Sequence, residues 1–193
     1  MVRAKYTSST ITVYQAYSAE IADTALRAGT FVAPFKRDRM TWIKPSFLWM
    51  MHRSAWATNP QQERVLAVEI SRTGFEWALA NSSLTHYDMS VHEGIEEWRR
   101  EKDASPVRVQ WDPGRSIDLE RESRRAVQVG LSGKAVDEYL DRWIVGMLDV
   151  TGLAHSIRAD VESGRFEHAR ARLPRESPYP LPGSICRRIG ADS

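Results

Sequence analysis

At 193 residues, with 42% hydrophobic and 27% charged side chains, the chain is long enough to bury a substantial core and too apolar for intrinsic disorder. A net charge of +2 is too mild to identify a polyanion partner, although Lys36, Arg37 and Arg39 cluster locally, as do Arg121, Arg124 and Arg125. The single cysteine, Cys186, excludes an intrachain disulfide and a multi-thiolate zinc site. No apolar run approaches the ~20 residues of a membrane helix and no leader-like segment opens the chain, so a cytoplasmic protein without membrane contact is expected.

Thr10–Tyr17, TITVYQAY, alternates and is rich in β-branched and aromatic residues, which predicts a strand. Ser18 then opens a helix to about Ala28, with Glu20 in its first turn and Gly29 as its stop. Thr30–Phe35 reads as a short strand or extended piece closed by Pro34, and Lys36–Arg39 as a charged loop. Met40–Lys44 alternates and predicts a strand. Pro45 and Ser46 start a short helix over Phe47–Ser54, which puts Phe47, Met50, Met51 and Ser54 on one face. The whole stretch RMTWIKPSFLWMMHRSAW, Arg39 to Trp56, sets cations and a serine among tryptophans and methionines. Buried charges need partners or a ligand, so this segment draws attention as a site.

Asn59-Pro60 marks a loop, Arg64–Ile70 a strand, and Ser71 caps a helix carrying Phe75, Trp77, Ala78 and Leu79. Asn81–Asp88 reads as loop, and His92–Lys102 as a charged helix with Ile95 and Trp98 inward. Val107–Trp111 is a strand that the turn signal Asp112-Pro113-Gly114 should end, and Ala126–Leu131 is another. Ser132 caps a predicted helix from Gly133 to Met147, along one stripe of Val136, Tyr139, Leu140, Trp143, Ile144 and Met147. Only helices follow, to about Ser163 and from Phe166 to Leu173, before a proline-rich tail. This order predicts an α+β fold with a mixed or antiparallel sheet. The core domain is residues 1–150, and residues 151–193 are C-terminal helices and a tail packed on it.

Neither a dinucleotide-binding G-x-G-x-x-G, a P-loop, nor a G-x-S-x-G elbow is present. His86 and His92 match no metal-ligand spacing, and no metal is expected. Ser46 as a nucleophile has no identifiable base, although His52 follows six residues later. Polar side chains instead gather in Tyr14–Tyr17, in Thr41–Ser46 with Arg39, and in Gln110-Trp111-Asp112 with Arg115. Amides, a carboxylate, cations and aromatic faces together suit a ligand that carries phosphate and a ring. Gln128, in AVQVGL, reads as a strand amide satisfied by its neighbours.

TITVYQAY, PFKRDRMTWIKPSFLWMMHRS, VQWDPGR and QVGLSG resemble a bacterial family known only as a domain of unknown function. Separately, the strand VYQAYS, the helix IADTALRAG and FVAPF are similar to the start of the ADP-ribosyltransferase fold. That resemblance implies a split, mostly antiparallel sheet that binds NAD, as substrate, in its cleft. On this view Gln15 takes the place of the usual Arg or His, and Ser46 stands near the Ser/Tyr element. Asp112, with Gln110 two residues before it, is the nearest acid to the glutamate that orients the ribose hydroxyls. Gln15, Ser46, Gln110 and Asp112 are then the catalytic candidates. Tyr17 or Trp42 would stack on the nicotinamide, and Arg39, Lys44 and Arg53 would meet the pyrophosphate. The acceptor would be a nucleic acid or a protein. Two alternatives stay open: a nucleic-acid-binding or RNA-processing module without NAD chemistry, and a non-catalytic interaction protein whose tryptophans are core or interface.

Overall fold

In the computed structural model, which describes residues 1–191, two sheets touch at one point and then part. The first is antiparallel, with β2 (Thr10–Tyr17) beside β4 (Arg64–Ser71) and β4 beside β8 (Ile144–Asp149). The second runs β3 (Thr41–Ile43), β7 (Arg121–Leu131), β6 (Val107–Arg115) and β5 (Ser82–Leu84), with only the β5–β6 pair parallel. They meet where the Tyr14 N–H donates to the Lys44 carbonyl at 2.7 Å and the Lys44 N–H returns to the Tyr14 carbonyl at 3.3 Å. A small third sheet pairs β1 (Arg3–Ala4) with β9 (Ser177–Pro178), tying the tail to the start of the chain. The fold is thus α+β with a split, mixed sheet flanked by helices.

Both faces of β2 are buried, so the polar residues of its alternation, Thr12 and Gln15, are buried along with its apolar ones. Ile11 and Val13 face a core shared with Ile43, Phe75, Leu79, Val129, Val136 and Tyr139. Tyr14 faces a second core built from Phe47, Met50 and Met51 of α2 (Phe47–Ser54) and from Ala154 and Ile157 of α6 (Thr151–Glu162). The remaining helices are α1 (Ala19–Ala28), α3 (Arg72–Ala80), α4 (Ile95–Ala104), α5 (Lys134–Glu138), α7 (Phe166–Arg172) and α8 (Gly183–Arg188). Gly29 ends α1 at φ +72°, and Ser71 caps α3 by accepting from the Gly74 N–H.

Several expectations are corrected. Residues 30–35 form no strand: Phe31 is buried and the Thr30 hydroxyl donates to the Leu140 carbonyl at 2.8 Å, so side chains rather than a ladder hold this segment. Ser82–Leu84 is a strand, not a loop. Its serines are tolerated because Ser82 Oγ donates to the Leu79 carbonyl. Asp112-Pro113-Gly114 does not turn. The strand continues through an irregular register between Pro113 and Arg115, and a Cβ on Gly114 would lie 2.8 Å from the Arg124 carbonyl. The helix predicted to Met147 stops early: α5 passes into a π-helical turn, Tyr139–Trp143, and the next residues become β8 on the open edge of β4. IVGML carries apolar residues at helical spacing and β-branched residues alike, and the unpaired edge of β4 selects the strand. Ile95 is 46% exposed rather than inward. In the tail, β9 and α8 add structure that the proline content concealed, and Asp192 and Ser193 lie outside the described residues.

The π-helical turn seats Trp143 directly on Gly74 of α3, where a Cβ would fall 2.4 Å from the indole. Gly74→Ala is therefore expected to destabilise the protein by about 1–3 kcal/mol through overpacking. Thermal unfolding should show a midpoint lowered by roughly 2–4 °C per kcal/mol; an unchanged midpoint would show that the ring yields freely.

Candidate functional site

Past the Tyr14–Lys44 contact the sheets diverge and leave a cleft of about 530 Å³. From β2 come Gln15 and Tyr17, from β3 and its approach Arg39, Trp42 and Lys44, and from α2 Arg53. Gln110 of β6 and Gln128 of β7 complete the far wall.

Gln15 is 2% exposed, and its amide is committed internally. Its Nε2 donates to Tyr17 Oη at 2.8 Å and to Thr41 Oγ1 at 2.8 Å, and its Oε1 accepts from Tyr139 Oη at 2.6 Å. Tyr17 Oη and Thr41 Oγ1 are themselves 2.9 Å apart. The amide thus ties β2, β3 and the π-helical turn together across the split. Burial pushes the Tyr17 phenol up to about 12 and Tyr139 well above its ordinary value, so both stay protonated as donors.

Trp42 and Lys44 alternate onto the same side of β3. Trp42 lies across Gly130 of β7, where a Cβ would meet its indole at 2.9 Å and Met40 Sδ at 2.8 Å. Lys44 is 7% exposed, donates from Nζ to the Trp42 carbonyl at 3.0 Å, and sits 5.7 Å from the Trp49 ring centre. Burial, reinforced by Arg53 and opposed by Asp112, lowers its pKa to about 7.

Gln110 and Gln128 are cross-strand partners, and Asp112 follows Gln110 on the same face. Gln110 Nε2 donates to Asp112 Oδ1 at 3.0 Å, and Gln128 Nε2 to Asp112 Oδ2 at 2.8 Å. Both carboxylate oxygens are therefore held. Asp112 stands behind the two amides rather than in the cleft lining, yet its charge reaches Lys44. Among the described residues, the cleft lining holds Arg39, Lys44 and Arg53 and no carboxylate. His52, beside Arg53, is lowered by burial and then by Arg115, Arg121 and Arg53, with Asp112 opposing.

The structure brings together Gln15, Tyr17, Arg39, Trp42, Lys44, Arg53 and Gln110, with Asp112 directly behind. Ser46 is placed apart. Its Oγ accepts from the Trp49 N–H at 3.4 Å as the N-cap of α2, and it lines a separate hollow of about 80 Å³ with Arg3, Arg115, Arg124 and Glu176. There Glu176 accepts the Phe47 N–H at 2.7 Å, and burial pushes its carboxyl up to about 7. Gln128 is bonded, as its strand setting suggests, but it also lines the cleft. Its signal was an amide flanked by valines, which must find a partner. Gln62 lines the cleft from a loop and carries no sequence signal. Among the described residues, no group of three or more His, Cys, Asp or Glu side chains is placed to hold a metal, and no helix is long and apolar enough to cross a membrane.

This arrangement can bind an anion, cover an aromatic ring, and present amides backed by a fixed carboxylate. The family model of the Domain of unknown function (DUF4291) matches residues 1–179, and the chain belongs to that family. No curated protein and no solved structure matches it.

A folded-state lysine pKa near 7 has a definite linkage consequence. Between about 7 and 10.4 the unfolded chain binds the extra proton, so Lys44 makes stability rise with pH across that window, and below it the cost of the buried cation is fully present. Lys44→Met is expected to gain stability over the parent most near pH 6, with the gap closing toward about pH 10. Urea unfolding across that range measures this; a gap independent of pH would mean that Lys44 keeps an ordinary pKa.

Proposed function

We propose that the cleft binds NAD, or a nucleotide of the same phosphate-and-ring chemistry, as the ADP-ribosyltransferase resemblance implies. The observation that carries this reading is a cleft opened by a split sheet and lined, among the described residues, by Arg39, Lys44 and Arg53 without a carboxylate. Arg39 and Arg53 present planar guanidinium groups suited to a pyrophosphate. Tyr17 and Trp42 supply aromatic surface for the nicotinamide, and the Gln110 and Gln128 amides supply polar contacts for ribose hydroxyls. Loss of nicotinamide leaves positive charge on the ribose, which the Asp112 carboxylate would stabilise from its clamped position behind them. Gln15 serves as the scaffold of the split, and Ser46 takes no part. The acceptor of an ADP-ribosyl group would be a nucleic acid or a protein.

One observation favours a second reading, a nucleic-acid-binding module without NAD chemistry. Arg115 and Arg121, which do not line the cleft, act on His52 together with Arg53, and phosphates of a longer ligand would meet these cations. Steep weakening of oligonucleotide binding with salt, together with indifference to NAD, would select it.

Thermal unfolding with NAD, ADP-ribose and nicotinamide tests the first reading. A ligand at a hundredfold its Kd adds about 2.7 kcal/mol, or several degrees at roughly 2–4 °C per kcal/mol. Arg39→Ala and Arg53→Ala are each expected to remove most of the NAD shift, whereas Ser46→Ala should lower the starting midpoint slightly and leave the shift intact. No shift with any of the three ligands at millimolar concentration would retire NAD as the ligand.

A further inference from the structure

Lys44 sits where an amine is better accommodated than an ammonium ion. An ammonium group offers three donors, and among the described residues its Nζ has a single hydrogen-bond partner, the Trp42 carbonyl. The charged groups that reach it are Arg53 from α2 and Asp112 from β6, and both oxygens of Asp112 are already engaged by Gln110 and Gln128. The neighbouring β2 offers the phenols of Tyr14 and Tyr17, which burial holds protonated. A desolvated lysine beside a second cation is an established route to a neutral, nucleophilic amine. The pKa of about 7 agrees with that geometry. Arg39 and Arg53, meanwhile, remain charged in the same cleft and suit a phosphate.

An amine beside phosphate-binding cations selects a class of compound, the phosphate-bearing aldehydes. We propose that Lys44 forms an imine with the open-chain aldehyde of a ribosyl phosphate held in the cleft. On the nucleotide reading above, on which this choice of compound rests, ADP-ribose is the member of that class. The Nζ lone pair attacks the aldehyde carbon, and one N–H proton passes to the carbonyl oxygen to give a carbinolamine. The hydroxyl then leaves with the second N–H proton as water, and the C=N bond forms. Nothing is oxidised or reduced.

The test uses the unmodified protein, incubated with ribose 5-phosphate or with ADP-ribose, trapped with borohydride and mapped by peptide mass. The reduced adduct is expected on Lys44 near pH 7, at least about tenfold above the exposed Lys5, Lys36 and Lys134, because an ordinary lysine is almost wholly protonated there. Lys44→Met, which the pH argument above expects to be the more stable protein near pH 6, should lose the adduct while still unfolding in one cooperative thermal transition. Adduct spread over the exposed lysines, with Lys44 no higher, overturns the proposal. So does an ADP-ribose thermal shift with no adduct on Lys44, an outcome that leaves the nucleotide reading standing. Trapping of ribose 5-phosphate on Lys44 with no thermal response to NAD or ADP-ribose does the reverse: the amine stands and the nucleotide reading falls.

Discussion

Among the described residues, the two larger sheets share one pair of backbone hydrogen bonds, between Tyr14 and Lys44, and the cleft exists because they share no more. A continuous ladder there would close the gap between β2 and β3. Two devices hold the opening. Tyr14 packs edge-on against Phe47 at 5.4 Å, pinning β2 to α2 on one side. On the other, the Gln15 amide bonds Tyr17, Thr41 and Tyr139, which belong to three separate elements. A buried amide with its donors and acceptor engaged is a stable bridge, and losing one partner would leave a polar group stranded. The cleft is thus framed by a satisfied polar network.

The treatment of buried charge differs sharply within the molecule. Asp160, on α6, is almost fully buried and receives Arg165, His168 and Arg172, so its carboxyl is held down to about 2, chiefly by the Arg165 hydrogen bond. That is an ion cluster complete in itself, joining α6 to α7. Lys44, 7% exposed, has among the described residues one hydrogen-bond partner, the Trp42 carbonyl, with the Trp49 ring 5.7 Å away and the charge of Arg53 outweighing that of Asp112. A buried ionisable group left so poorly compensated shifts toward neutrality, and such groups gather where chemistry or binding happens. The contrast between these two residues, more than cleft volume, is what supports the proposal of a site at the β2–β3 split.

The elements nearest the cleft were the most legible in the sequence. β2 and α2 follow their predicted limits, because alternation in TITVYQAY and a Pro-Ser start followed by one apolar face are local signals. The gathering of Arg39, Trp42, Lys44 and Arg53 was legible too, since a short strand, a turn and a helix keep neighbouring residues near one another. Less accessible was the meeting of that segment with Gln110, Asp112 and Gln128, which lie on a distant hairpin. Ser46 shows the limit of proximity in sequence. It lies two residues from Lys44, yet it turns away to cap α2 and faces a different hollow.

By itself the sequence determined which segments could be strands or helices, which residues had to be buried, and which polar side chains would sit awkwardly among them. These follow from local backbone preference and the period of apolar residues. Tertiary structure alone decided that IVGML would extend β4 rather than continue a helix, because an unpaired strand edge supplies hydrogen bonds that no local propensity records. It alone decided that two glutamines, 18 residues apart in sequence, would clamp one carboxylate, because cross-strand register is a long-range property. The split between the sheets is of the same kind: it is set by where two strands stop pairing, and no single segment carries that information.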